Sequence, residues 1–391
     1  MRSIELFAGA AGLGMGLAKA GFHHEIVVER DHAACETIRY NQKRGHALVQ
    51  DWKVVEADVA DVDLSAVAPE PDLLSGGPPC QPFSGGGAHA GAADERNCWP
   101  WTINATKILR PRAFVFENVP GMLRHKEYLD YLVMALTLPE LANPTTDWED
   151  DAAFLRKCIE QGVSSPPRYD VHVEKLTATD YGVAQARSRV FIVGIREDVK
   201  GRWRAPEATH SGERLLDDKW INGTYWDRHG ISRPEMDIAG TRHLRRHNQR
   251  ATEDLFAPRL NAHRTVRDVI GDLPDARPEG SPGILNHEAA TREAKAYKGH
   301  TGSPIDEPSK TLRAGVHGVS GGENMVDYGS HHEGTRYRHF TVREAARVMG
   351  VDDDYAFPGT WSDGLKQMGN AVCPPMAHAI GESIATTLKA N

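Results

Sequence analysis

The chain has 391 residues and a formal net charge of −8, with 40% hydrophobic and 26% charged residues. That length suffices for two domains with real cores, and no apolar run approaches the length needed to span a membrane. Five cysteines (Cys35, Cys80, Cys98, Cys158, Cys373) show no zinc-like spacing, and Met1–Phe7 lack the basic head and apolar stretch of a secretory leader, so free thiols in the cytoplasm are expected.

Ile4–Phe7 is the first predicted strand, and it ends in the glycine-rich turn Phe7-Ala8-Gly9-Ala10-Ala11-Gly12-Leu13-Gly14. Leu13, Leu17 and Ala18 then read as a helix closed by Gly21. Glu25–Val28 is a second strand, ending at Glu29. Asp72–Leu74 is a third, running into Ser75-Gly76-Gly77-Pro78-Pro79-Cys80, and the apolar runs Ala113–Phe116 and Val190–Val193 are two more. Such runs, separated by helical stretches, predict an α/β fold with a buried, mainly parallel sheet whose ligands gather at the carboxyl ends of its strands. From about Arg196 to His339 the periodicity fades, as in a separate loop-rich domain. Pattern returns at Thr341–Gly350 with a Thr341/Glu344 capping box. Pro374-Pro375 start a last helix, with Met376, Ala379, Ile380, Ile384 and Leu388 as its buried face.

The glycine turn lets a ligand approach the backbone. A dinucleotide fold needs G-x-G-x-x-G there. The best frame, Gly12-Leu13-Gly14, has Leu17 in place of the third glycine, which disfavours a nicotinamide enzyme. Glu29 suits ribose hydroxyls, although a tight turn and a surface acid explain the same residues. Two prolines before Cys80 present its thiol rigidly, and a thiolate is a strong nucleophile once its pKa, about 8.5 when free, is lowered. The glycines of 85–91 suit a lid. Burial as a small hydrophobe is the plainer role of a cysteine, and it fits Cys35 and Cys158 better than Cys80. Glu117 directly follows a buried strand, where a carboxyl is costly unless paired or protonated, so a raised pKa is expected. Arg187 and Arg189 alternate onto one side. They can pair with Glu117, bind a carbonyl oxygen, or form a structural ion pair at the sheet end.

Together and in this order these segments resemble the DNA (cytosine-5) methyltransferase family, in its bacterial or phage form. The matching stretches are Phe7–Gly12, Gly76–Ser84, Glu117-Asn118-Val119, Gln185–Arg189, Arg343–Gly350 and Gln367–Val372. The resemblance implies a Rossmann-like, S-adenosylmethionine-dependent catalytic domain over 1–195 and 343–391, with a target-recognition domain over 196–342. It also implies that a cytosine is flipped out of duplex DNA into a pocket. There Cys80 attacks carbon 6, Glu117 holds or protonates ring nitrogen 3, Arg189 binds oxygen 2 and Arg187 supports Glu117. Carbon 5 then takes the methyl group, leaving S-adenosylhomocysteine. The implied cofactor contacts are Phe7, Gly9, Gly12, Leu13, Glu29, Asp58, Val59, Pro79, Asn370 and Ala371, with the last helix packed beside the first strand. Arg30 stands where the family usually has an aromatic or apolar residue. The implied setting is a monomer in the cytoplasm, associated with the nucleoid and not with membranes. It would act on double-stranded DNA as a restriction-modification or orphan methylase, with a restriction endonuclease acting independently as companion.

Two other classes use the same residues. An RNA cytosine-5 methyltransferase would share the fold, but the Cys-Phe-Thr signature of the related transfer-RNA enzyme is absent, and only Cys98 lies near the loop as a second cysteine. A catalytically silent DNA-binding regulator would not need Cys80, Glu117 and Arg189 intact. Ser84, His89 and Arg96 near the proline loop are candidate DNA contacts. Arg242 and Arg245 are others, in a cluster that reads equally as a solvated turn. Residues 202–267 carry thirteen Lys and Arg against nine acids, whereas 51–72 carry seven acids and one lysine, so a basic recognition part on an acidic catalytic part is expected. The stretch 136–167 reads as an insertion whose acids, Glu140, Asp147, Glu149, Asp150 and Asp151, point away from phosphate.

Overall fold

A computed structural model describes residues 1–79, 97–163, 165–236, 238–250, 260–291, 293–297, 301–314, 324–329 and 335–390, the side chains of 243 and 246–250 excepted. Seven strands form the central sheet: β1 (Arg2–Leu6), β2 (His23–Glu29), β3 (Lys53–Glu56), β4 (Leu73–Gly76), β5 (Ala113–Asn118), β6 (Tyr169–Thr177) and β7 (Ser188–Arg196). Their order is β3-β2-β1-β4-β5-β7-β6. The first five run parallel, whereas β7 is antiparallel to both β5 and β6. β3 and β6 were not legible as apolar runs, because they edge the sheet and carry charged residues such as Lys53, Glu56, Glu174 and Lys175.

Cores on both faces of the sheet explain why β5 is apolar over Ala113–Phe116 before it ends in Glu117 and Asn118. Ala113 and Val115 enter the core on one face of the sheet, and Phe114 and Phe116 enter the core on the other. Helices α1 (Gly12–Lys19), α2 (His32–Lys43), α3 (Trp99–Leu109), α4 (Lys126–Thr137) and α5 (Trp148–Glu160) flank the sheet. Beyond β7 come short elements: α6 (Gly212–Leu216), α7 (Thr224–Arg228), α8 (Ile238–Arg250) and α9 (Val266–Ile270), with strands β8 (His210–Ser211), β9 (Asn261–Ala262), β10 (Ser303–Pro304), β11 (Met325–Asp327) and β12 (Tyr337–His339). Leu215, Trp220, Tyr225 and Trp226 make a small core of their own there. Val266, Val269, Ile305, Leu312, Val326 and Phe340 instead join the main core. Arg242 and Arg245 are exposed on α8, so their stretch is helix and not a turn.

The chain closes with α10 (Val342–Met349), α11 (Trp361–Asn370) and α12 (Pro374–Lys389). The α10 capping box is present, and Gly350 takes the left-handed conformation that ends the helix, at φ 76°. α12 packs on α1, the helix that follows β1. Small residues allow this: a Cβ on Gly16 would meet the Ala377 Cβ and the Pro374 carbonyl, each at 2.4 Å. Ala377 therefore takes the buried place expected of Ala379. In the 136–167 stretch, Asp151 is not a surface acid. It is buried and accepts hydrogen bonds from the Tyr131 hydroxyl at 3.2 Å and the Asn143 amide at 3.0 Å.

The other face of β1 carries Ser3 and Glu5, both fully buried. His24 on β2 lies between Ser3 Oγ, at 3.0 Å, and the Gly14 carbonyl, at 3.1 Å, with Glu5 Oε2 at 3.6 Å. Burial pushes Glu5 up to about 8 and His24 down to about 4, so at neutral pH both are uncharged and the contact is not an ion pair. In the folded state Glu5 keeps its proton where the unfolded chain has lost it. Its contribution to stability is therefore complete below its ordinary 4.5 and is lost as pH rises to about 8. His24, held below its ordinary 6.5, acts in the opposite sense between about 4 and 6.5, so the fall that this pair gives the wild-type unfolding free energy should appear between about 6.5 and 8, at on the order of 1 kcal/mol per pH unit. Denaturant titrations of Glu5→Gln should show that slope flattened; an unchanged slope would place the proton elsewhere.

Candidate active site

The strand order reverses between β1 and β4, so the turn after β1 and the loop after β4 diverge and leave a crevice at their carboxyl ends. A cavity of about 490 Å³ occupies it, within the range of small-molecule sites. All ten residues expected to touch a cofactor line this one cavity: Phe7, Gly9, Gly12 and Leu13 from the turn, Glu29 from β2, Asp58 and Val59 after β3, Pro79 after β4, and Asn370 and Ala371 at the end of α11. Glu117 and Arg189 line it too. Arg187 does not; it is fully buried behind the wall. Cys80, Ser84, His89 and Arg96 lie outside the described residues.

The turn is held under backbone strain. Phe7 and Ala11, which are not glycines, have φ of 55° and 69°, a conformation costing roughly 1–2 kcal/mol per residue. Glu29 helps to hold it. Its Oε2 accepts from the Gly9 amide at 2.7 Å, and its Oε1 accepts from the Arg30 and Asp31 amides at 2.8 and 2.7 Å. A side chain on Gly12 would strike the Val372 carbonyl at 2.4 Å, so this glycine allows the turn and the α11–α12 junction to meet. Arg30 swings out to Asp58 Oδ2 at 3.1 Å and is exposed. Lys366 on α11 bonds Asp31 at 2.8 Å and bridges the cavity rim.

At the other end, the Arg189 Nε donates to Glu117 Oε1 at 2.6 Å, and both side chains are about nine-tenths buried. β7 starts where β5 ends because the two are antiparallel, which brings these residues together. Burial outweighs the two neighbouring guanidiniums, Arg189 and Arg187, and pushes Glu117 above the usual carboxylate range. Gly77 stands against it, since a Cβ there would lie 3.3 Å from Glu117 Oε2. Asn118 donates to the Pro78 carbonyl at 3.1 Å and ties the loop leading to Cys80 onto the same strand end. Sequence reasoning missed this role of Asn118, although it stood in the Glu117-Asn118-Val119 stretch. It also missed the cavity-lining Cys98. Burial pushes the Cys98 thiol up, as it does Cys35, to about 12, and Cys373, to about 11. These three thiols are held in their unreactive neutral form.

The cavity thus joins an apolar, glycine-floored half with carboxylates at Glu29 and Asp58 to a half where a raised carboxyl and a guanidinium converge. The first suits a ligand with a flat apolar ring, a diol and a positive charge; the second suits a polar heterocycle with adjacent acceptor atoms. The chain is 28% identical to the type II methyltransferase M.NgoMIV of Neisseria gonorrhoeae, across 99% of this chain and 98% of that one. It is likewise 28% identical to M.FnuDI of Fusobacterium nucleatum, across 99% and 95%. The crystal structure of an Escherichia coli prophage protein assigned as a DNA modification methyltransferase superposes with a TM-score of 0.59 at 20% identity, covering 99% of each chain, and shares the fold. The model of the C-5 cytosine-specific DNA methylases matches residues 1–142 and 154–386, leaving out only 143–153, within the 136–167 stretch, and the last residues from 387 on. The chain belongs to the C-5 cytosine-specific DNA methylase family.

Proposed function

We propose that the enzyme transfers the methyl group of S-adenosylmethionine to carbon 5 of a cytosine flipped from a specific duplex sequence, through a covalent adduct with Cys80. The observation that carries this is the buried Glu117–Arg189 pair, in one cavity with Glu29, Asp58 and Asn370. The cofactor, when bound, supplies an electrophilic methyl group. Glu29 would hold its ribose hydroxyls, with lone pairs left over after the three amides it already accepts. Phe7, Leu13, Val59 and Ala371 would cover its apolar surface.

Arg189 would donate to oxygen 2 of the base, and Glu117, carrying a proton, would donate to nitrogen 3. Both draw electrons from the ring and open carbon 6 to the Cys80 thiolate, whose addition makes carbon 5 nucleophilic. After methyl transfer, loss of the carbon 5 proton expels Cys80 and restores the ring. Burial, which raises the Glu117 pKa against the pull of Arg189 and Arg187, favours the protonated carboxyl that this step uses. The region 196–342 would read the DNA, with Arg242 and Arg245 on α8 contacting phosphates or guanine edges. The resemblance to type II enzymes fits a monomeric, nucleoid-associated restriction-modification or orphan methylase, with an endonuclease acting independently.

Bisulfite sequencing of DNA from cells expressing the chain tests this reading; absence of any methylated motif would overturn it. Cys80→Ala should lose methyl transfer while retaining DNA binding, and DNA with 5-fluorocytosine at the target should trap an adduct that peptide mass spectrometry assigns to Cys80; an adduct on Cys98 would refute the assignment. Glu117→Gln should lower kcat by about 10²–10⁴-fold. Wild-type activity should fall as pH rises through the raised Glu117 pKa, and in the variant that alkaline limb should disappear. Replacing Arg242 and Arg245 together with alanine should lower the slope of log affinity against log salt by about two, if each meets a phosphate; an unchanged slope would move the interface off α8.

A further inference from the structure

Arg187 lies behind the cavity wall and is fully buried. Its guanidinium donates to two carbonyls from distant parts of the chain, Gly369 O at 2.7 Å and Leu312 O at 3.3 Å. Gly369 immediately precedes Asn370 and Ala371 in the cavity wall. Leu312 belongs to the segment 309–314, which docks along 184–187. The Ser309 amide donates to the Ala184 carbonyl at 2.8 Å, the Ala186 amide to the Ser309 carbonyl at 2.8 Å, and the Thr311 hydroxyl to the Ala186 carbonyl at 2.9 Å.

The same segment then crosses Gly369 in direct backbone contact. A Cβ on Gly369 would lie 2.0 Å from the Ala314 nitrogen and 2.5 Å from the Arg313 carbonyl carbon. Asn324 clamps the crossing with both atoms of its buried amide, at 3.1 Å to the Arg313 amide and 3.0 Å to its carbonyl. One planar guanidinium therefore fixes the end of the recognition region, the α11 end of the cavity wall and, two residues on, Arg189 of the base pocket.

We propose that Arg187 is a positioning residue through which target DNA and cofactor strengthen each other's binding. DNA held by the recognition region would hold the Leu312 segment in this docked position. That segment and Gly369 share Arg187, so the restraint is passed to Asn370 and Ala371. Such coupling is reciprocal: whatever factor DNA gives the cofactor, the cofactor gives DNA. A rigid fork with several donors can satisfy two carbonyls lying in different directions, whereas the single ammonium of lysine cannot replace that geometry. Lysine does keep the positive charge near Glu117, so Arg187→Lys separates positioning from electrostatics. The inference rests on the reading that 196–342 binds DNA and the cavity binds S-adenosylmethionine.

The test is calorimetric titration of S-adenosylhomocysteine into the full chain, with and without a short duplex carrying the motif found by bisulfite mapping. For the wild type, DNA should tighten binding roughly fivefold or more. In Arg187→Lys the two affinities should become nearly equal, while the pH profile of methyl transfer keeps its alkaline limb because the charge near Glu117 remains. Near-UV circular dichroism checks the variant's packing. Thr311→Val, which removes one part-exposed hydrogen bond of the same docked segment, should reduce the ratio in the same direction and serves if the arginine variant does not fold. A wild-type ratio retained in both variants overturns the relay, and so does a wild type that binds both ligands without coupling; in either case the functional reading stands. A wild type that binds neither ligand overturns the functional reading and the relay with it.

Discussion

The contact between Glu117 and Arg189 depends on the reversal of one strand. Were β7 parallel to its neighbours, its first residues would sit at the opposite edge of the sheet from the end of β5, a full strand length from the carboxylate. Because it runs antiparallel, the start of β7 meets the end of β5, and an arginine that precedes an apolar run faces an acid that ends one. Both side chains are then buried by the turn and loop that cover this edge. Burial raises the carboxyl pKa, and the guanidinium opposes the rise without cancelling it. A carboxyl whose pKa is raised by burial beside a fixed positive charge follows from topology first and local sequence second.

Around this pair the molecule carries several arrangements that stability alone would not select. Phe7 and Ala11 sit in left-handed backbone conformations at the floor of the cavity. Glu5 lies in the sheet core as a neutral acid beneath the same turn, and Gly14 is what leaves room for it: a Cβ there would come within 2.1 Å of Glu5 Oε2. Gly12 and Gly369 each mark a place where backbone approaches too closely for any side chain, and at Gly77 the Glu117 carboxylate comes tighter than usual. Strain and close approach thus occur together in the turn and at the α11 end. A site that must hold two ligands in fixed relation needs this kind of rigidity.

The net charge of −8 is compatible with a DNA enzyme because charge is segregated. The acids of 51–72 lie around β3, and Asp58 among them faces the cavity. The basic excess falls in the region beyond β7, where α8 exposes Arg242 and Arg245. That region is only partly a separate body. Its tryptophan-rich nucleus stands alone, yet Leu312, Val326 and Phe340 are packed into the main core. Loss of sequence periodicity was a fair guide to irregular structure there, but it could not show which apolar residues return to the catalytic core.

The sequence by itself determined the central strands, the glycine turn, the capped α10 helix and the residues that converge on the cavity. Apolar runs, capping pairs and turn chemistry are local signals, and each is written in neighbouring residues. The edge strands β3 and β6 escaped notice because a half-exposed strand needs no continuous apolar run. Only the tertiary structure decided the direction of β7, the seat of α12 on α1, the buried state of Asp151 and the two carbonyl partners of Arg187. Each of these joins residues far apart in the chain, and no local pattern records which distant backbone will close on them. Alternation put Arg187 and Arg189 on the same side of a strand, but packing gave one to the base pocket and the other to the wall behind it.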